Sequence, residues 1–350
     1  MALEDFVRAM PKAELSVQLE GAIPHNVLLR IMEENNIAAT MRPREYKQWL
    51  EKLASPEPET WESLTKQIST WLQHPDNITR AVYELGVALS KQNVRYAEVG
   101  VMPASYMDSG MDFLVFINAL NDGADRVARA WRVQMKWVML IPRDRPRKAE
   151  DIARWATSAN ATRGNVVGMG LVGTDDAQPI GQFAKAFSMA SKKNVPTMLQ
   201  LRSFTDETSW VDAVDSLQPQ RLVDSLATGA EQDTLNHLGE KEIGVILSPT
   251  QLGRLAAQDY SIAQLRQEYS EASIPLIVGS RLPELTRSTI TDEYLALLED
   301  ENSRPADVEQ YALNAIRYSF LPEPEKDAFI ADFTATYAEL RDAHLTEQAS

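Results

Sequence analysis

Eight short apolar runs, many of them β-branched, recur along the 350 residues with longer helical stretches between them, and this alternation restricts the fold more than any other feature. The pattern predicts strands at Leu15–Leu19, Tyr96–Val101, Lys136–Ile141, Val166–Val172, Thr197–Leu201, Arg221–Ser225, Gly244–Leu247 and Leu276–Gly279. Near-continuous apolar strands joined by helical crossovers imply a parallel sheet covered by helices, and eight such units are the number that closes a (β/α)8 TIM barrel. The last five recur at the spacing of βα units. The expected organisation is one barrel domain over residues 1–350, with a helical flap insertion over about residues 22–92 after the first strand. The Ser55-Pro56-Glu57-Pro58 break lies inside that insertion, which reads equally as a lid over the barrel mouth or as a fixed flap.

Composition sets the outer bounds on function. A net charge of −15 repels phosphate backbones and anionic lipid, which argues against nucleic acid as a partner. With no cysteine there is neither a disulfide nor a thiolate ligand nor a cysteine nucleophile. Met1 to Arg8 carries no apolar core behind a basic start, and no apolar run approaches the roughly 18 residues of a membrane span, so the expected location is cytoplasmic, with no membrane association.

Particular motifs carry a family resemblance. Pro11-Lys12-Ala13-Glu14-Leu15-Ser16-Val17-Gln18-Leu19-Glu20-Gly21 resembles the opening strand of adenosine deaminases, Pro-Lys-x-Glu-Leu-His-x-His-Leu-x-Gly. Tyr96-Ala97-Glu98-Val99-Gly100-Val101-Met102-Pro103 is similar to the family's Tyr-x-Glu-x-Arg-x-x-Pro, with Gly100 at the arginine. Val166 to Gly173 resembles Val-Val-Gly-x-Asp-Leu-x-Gly, with Gly170 at the acid and Gly173 retained at the glycine that meets the purine. Ile277 to Pro283, followed by Ser288 to Tyr294, is similar to the Thr-Asp-Asp-Pro segment and the Leu-x-x-Glu-Tyr helix behind it.

The resemblance implies a zinc site and a deaminating acid, yet position by position the chemistry is replaced. Ser16 and Gln18 stand at two histidine ligands, Leu199 at the third, and Arg202 at the glutamate that protonates the purine. Asp224 stands at the histidine that orients water, Arg281 at the metal-binding aspartate, and Leu282 at the aspartate that contacts the purine. Around Ile246, Leu247, Pro249 and Thr250 the family's Cys-Pro-x-Ser-Asn is also missing, although a one-residue slip would pair the prolines. A catalytic zinc needs about three nitrogen or carboxylate donors; leucine offers no lone pair, and a guanidinium brings positive charge where a dication would sit. The expectation is therefore no metal, no cofactor and no zinc-dependent deamination. The remaining candidates for ligand binding are Gln18, Gly173, Arg202, Asp224 and Arg281, with Asp224 bridging one or both arginines as a structural plug, or with an arginine open to a carboxylate or phosphate.

Other signals are weaker. His25, His74, His237 and His344 fall in or beside expected helices and loops, away from the strand ends where barrels do chemistry. Gly168-Met169-Gly170-Leu171-Val172-Gly173 fits a dinucleotide fingerprint but lies within a strand. Asp175 with Asp176 reads as a solvated loop, as does Arg143-Asp144-Arg145-Pro146-Arg147-Lys148, which could otherwise draw an anion to the mouth. The resulting expectation is a non-catalytic member of the deaminase family in purine metabolism, acting through protein contacts with itself or an active deaminase relative. A sensor of a small anionic or purine-like ligand, or a hydrolase with altered metal-independent chemistry, is the alternative.

Overall fold

The computed structural model describes residues 2–173, 178–200, 207–223, 232–251, 261–299 and 303–345. Eight parallel strands run in the order of the chain: β1 (Lys12–Glu14), β2 (Val94–Val101), β3 (Gln134–Pro142), β4 (Val166–Val172), β5 (Thr197–Gln200), β6 (Arg221–Val223), β7 (Gly244–Leu247) and β8 (Leu276–Val278). With helices between successive strands, this is a (β/α)8 TIM barrel. Its register places Leu171 beside Leu199 and Leu199 beside Leu222, so the position that the resemblance pairs with a histidine ligand lies in a row of leucines. The seam between β8 and β1 is drawn together by the Gln18 N–H donating to the Arg281 carbonyl at 2.8 Å, and by Glu14 accepting from Ser280.

β4 and β7 have the bounds their sequences predict, whereas β1 lies at Lys12–Glu14, wholly before the predicted Leu15–Leu19. The reason is local. The Ser16 N–H turns back to the Glu14 carboxylate at 2.9 Å, and the chain rejoins the sheet only through Val17, whose carbonyl accepts from Gly100, and an isolated bridge from Gln18 to Gly100. Leu15, Val17 and Leu19 are all buried, so the two-residue apolar period persists through a segment that is no longer a regular strand. The expected insertion over 22–92 also needs narrowing. Helices His25–Glu34, Pro43–Ala54 and Trp61–Trp71 lie outside the βα repeat, but Pro75–Lys91 is the crossover that delivers the chain to β2.

The floor of the barrel is closed by the link between helices Pro305–Arg317 and Glu323–His344. The Phe320 N–H donates to Glu98, and the Phe320 ring lies 3.6 Å from the Arg221 guanidinium. Arg221 and Glu98 form an ion pair with both side chains fully buried, and Arg221 also donates to the Tyr318 carbonyl at 2.9 Å.

Each of the seven turns that lead from a helix into β2 through β8 contains one residue in the left-handed region: Asn93, Arg132, Asn165, Asn194, Gln218, Glu242 and Ser273, with φ between 48° and 62°. Such residues end a helix and reverse the chain, and side chains other than Asn or Gly adopt this conformation at a cost of about 1 kcal/mol. Gln218→Gly, at φ 48°, should therefore stabilise the protein by about 0.5 kcal/mol after the greater freedom of glycine in the unfolded chain is subtracted. Denaturant unfolding measures this, and a loss of stability would mean that the Gln218 side chain makes a compensating contact.

Candidate functional site

The carboxyl ends of the strands hold the chamber in which barrel chemistry takes place. Among the described residues there, Leu15, Ser16, Gln18, Gln200 and Arg281, with an apolar wall that includes Met198 and Leu140, line a small space of about 10 Å³, enough for about one water. Apolar side chains lie close over two glycines there. A Cβ on Gly100 would stand 2.7 Å from Leu140, and one on Gly170 would stand 2.7 Å from Met198. Where the resemblance implies an arginine and an acid, neighbouring apolar side chains occupy the space.

Leu199 is fully buried and Leu282 nearly so, both as core residues. Leu282 packs on Gly21, where a Cβ would stand 2.2 Å from its methyl. Arg281, 7 % exposed, sits just beyond β8 with φ 55°. With the amide oxygen of Gln200 turned toward it, Gln200 accepts from Arg281 Nη2 at 2.6 Å and Nε at 2.8 Å. Gln251 Oε1 accepts from Arg281 Nη1 at 3.5 Å, and Gln251 Nε2 donates to the Ser280 carbonyl at 2.8 Å. Arg202 and Asp224, singled out in the sequence, lie outside the described residues, as do Asp175 and Asp176.

Two carboxyl groups missed as site residues flank Gln18. Glu14 is fully buried and accepts four hydrogen bonds, from the N–H and hydroxyl of Ser16 and from the N–H and hydroxyl of Ser280, at 2.6–3.1 Å. Glu20 accepts from the Tyr106 hydroxyl at 3.0 Å, the Met102 N–H at 3.4 Å and Gln18 Nε2 at 3.4 Å. Burial raises both carboxyl pKa values, and these hydrogen bonds oppose the rise. The available signal was a carboxylate within an apolar run, a placement that demands buried partners.

Helix Trp61–Trp71 reaches the rim of the mouth. Its Lys66 donates to Glu62 at 2.8 Å and to Asp144, after β3, at 2.7 Å. A Cβ on Gly173, which takes φ 128°, would come within 3.6 Å of the Glu62 carboxylate. The basic run after β3 makes internal contacts: Arg143 is buried and donates to the Gln178 carbonyl, while Arg145 and Lys148 both hold Asp108. That arrangement leaves little positive charge to draw an anion into the mouth. The glycine fingerprint lies within β4, and the histidines occupy helices or their ends, with His237 bonded to Asp215.

The donor set does not fit zinc. Ser16 is bonded to Glu14, Gln18 is a neutral amide facing Glu20, Leu199 has no donor, and Arg281 is a cation. Among the described residues, no group of three histidine, cysteine, aspartate or glutamate side chains could hold a metal ion.

Comparison with known proteins gives the family. The model of the family described as Adenosine deaminase matches residues 11–336. An aminodeoxyfutalosine deaminase of Streptomyces coelicolor is 23% identical over 336 residues, covering 96% of this chain and 86% of that protein. An adenosine deaminase of Enterococcus faecalis is 24% identical over 328 residues, covering 92% and 96%. In fold, the chain is similar to an amidohydrolase from Burkholderia ambifaria with bound zinc, at a TM-score of 0.86 and 21% identity over 98% of this chain and 94% of that one. It is also similar to an adenine deaminase from Arthrobacter aurescens, at 0.81 and 18% over 93% and 99%. The chain belongs to the adenosine deaminase family.

Proposed function

From that membership and the side chains that fill the mouth, we propose that this protein is a family member without zinc-dependent deaminase activity, acting through contacts with other proteins. The observation that carries the reading is Arg281 tied to Gln200 between buried Leu199 and Leu282, at positions aligned with metal ligands and a purine contact. Hydrolytic deamination requires an activated water and a proton donor near the ring, and the described mouth supplies no ligands for the ion that would activate that water. A second copy of the chain or an active deaminase relative is the proposed partner, and the proposed site is cytoplasmic; no helix among the described residues is long and apolar enough to cross a membrane.

A second reading is favoured by the relatives themselves. The family match spans nearly the whole chain, and the relatives are named for deaminating adenosine, adenine or aminodeoxyfutalosine. Under it the protein is a purine-deaminase-family hydrolase with metal-independent chemistry, and Glu14 and Glu20, buried carboxyl groups bonded to Ser16 and Gln18 beside the mouth, both with raised pKa values, are candidate acids.

One experiment separates the readings. Elemental analysis after dialysis is expected to find well below one zinc per chain, and concentrated protein is expected to convert none of the three purine substrates above a heat-killed control. Turnover without metal would select the second reading. Stoichiometric zinc with turnover would overturn both.

A further inference from the structure

The mismatch between the mouth and a metal leaves a question about what draws the strand ends together there. We propose that the Arg281 guanidinium is a built-in substitute for the cation: it ties the ends of β5, β7 and β8 around one point, and its slot accepts a small free guanidinium when the side chain is cut away. This rests on the reading of the mouth as metal-free.

The geometry is specific to a planar fork. Nε and Nη2 both donate to the one amide oxygen of Gln200, the last residue of β5, at 2.8 and 2.6 Å. Nη1 reaches Gln251 in the segment after β7, and that same amide turns its nitrogen to the Ser280 carbonyl, beside the end of β8. The Arg281 carbonyl accepts from the Gln18 N–H at 2.8 Å, bringing in the segment after β1. One residue therefore engages three other parts of the rim, through side chain and backbone, in a left-handed conformation, φ 55°. Gln200 and Gln251, neutral acceptors, suit a delocalised guanidinium better than a compact, strongly hydrated ammonium. They would also serve a free guanidinium of the same shape.

The test uses the full chain with Arg281→Ala, heated with and without millimolar ethylguanidinium. The melting temperature should fall by about 5 °C, as expected for loss of charge-assisted hydrogen bonds in a chain of this size. Ethylguanidinium should restore at least half of that loss, while ethylammonium and sodium chloride should not, and none should raise the wild-type value. Wild-type stability in Arg281→Ala, or equal recovery with ethylammonium, would overturn the assignment. Should Arg281→Ala fail to fold, Gln200→Ala, which removes the acceptor of two bonds, should still lower the melting temperature and abolish the difference between Arg281→Lys and wild type; an unchanged difference overturns it as well. Zinc content and turnover are read separately, so an error in the proposed function does not resemble a failed rescue.

Discussion

Glu98→Ala is expected to destabilise the fold by about 3–5 kcal/mol, because it leaves Arg221 charged on the barrel floor without its carboxylate. The Arg221 guanidinium would keep the Tyr318 carbonyl and the Phe320 ring, while its Nε has no hydrogen-bond partner even in the intact protein. Tyr96 and the Phe320 N–H would each lose their bond to Glu98. Breaking a buried pair on one side costs more than removing both charges, so Glu98→Leu with Arg221→Met should recover most of the loss. Wild type, Glu98→Leu, Arg221→Met and the double variant form a double-mutant cycle, read from urea midpoints by two spectroscopic probes. Additive losses, or a cost below about 1 kcal/mol for Glu98→Ala, would show that the floor does not depend on this pair.

That floor also shows which parts of the family pattern survive. Glu98 and Arg221, both within motifs that resemble the family, form the plug beneath the barrel, and Glu293, from the retained Glu-Tyr helix, accepts from the backbone and hydroxyl of Thr250 at 2.8 and 2.6 Å. The described positions that the resemblance pairs with ligands and purine contacts, Ser16, Gln18, Leu199, Arg281 and Leu282, gather instead at the mouth or in the core beside it. A barrel can lose metal ligands at its carboxyl end while the residues that close its other end are kept, since the two faces carry chemistry and stability separately. On the proposed reading, this division is what favours binding over catalysis.

Much of the architecture was legible because eight buried parallel strands write themselves as apolar runs, and Val166–Val172 and Gly244–Leu247 could be delimited to the residue. The end of β1 was not legible, since it depends on a side-chain bond from Glu14 to the Ser16 backbone that leaves the apolar alternation untouched. At the mouth, the resemblance aligned Arg281 with a metal ligand but paired it in expectation with Asp224, outside the described residues. Gln200 drew no notice, being one polar residue at the end of a strand whose partner lies on β8's far end of the sequence. Contacts of that kind depend on barrel closure, and no local pattern encodes them.

Lys12 should make stability rise with pH between about 7 and 10. Its side chain is fully buried at the start of β1, where Nζ donates to the Met10 and Gln92 carbonyls at 3.0 and 3.2 Å. Burial, with a smaller contribution from the Arg8 charge, lowers its pKa from 10.5 to about 7. Below about 7 the group is charged in both folded and unfolded chains, and the fold bears the whole cost of burying that charge. Between 7 and 10.5 the unfolded chain holds a proton that the folded chain has released, so stability climbs with pH and then levels off. At 1.36 kcal/mol per unit the full shift corresponds to about 5 kcal/mol. Glu14 and Glu20 act in the opposite direction: their raised pKa values contribute stability in acid that is lost as pH rises past the unfolded value. Comparison with Lys12→Met largely cancels them, because both carboxyls are present in each protein. The stability of wild type minus that of Lys12→Met should therefore increase across the window from pH 7 to 10, with the methionine protein relatively favoured at the acid end. A difference that stays flat would mean that Lys12 keeps its proton in the folded barrel, with its two carbonyl partners compensating for burial.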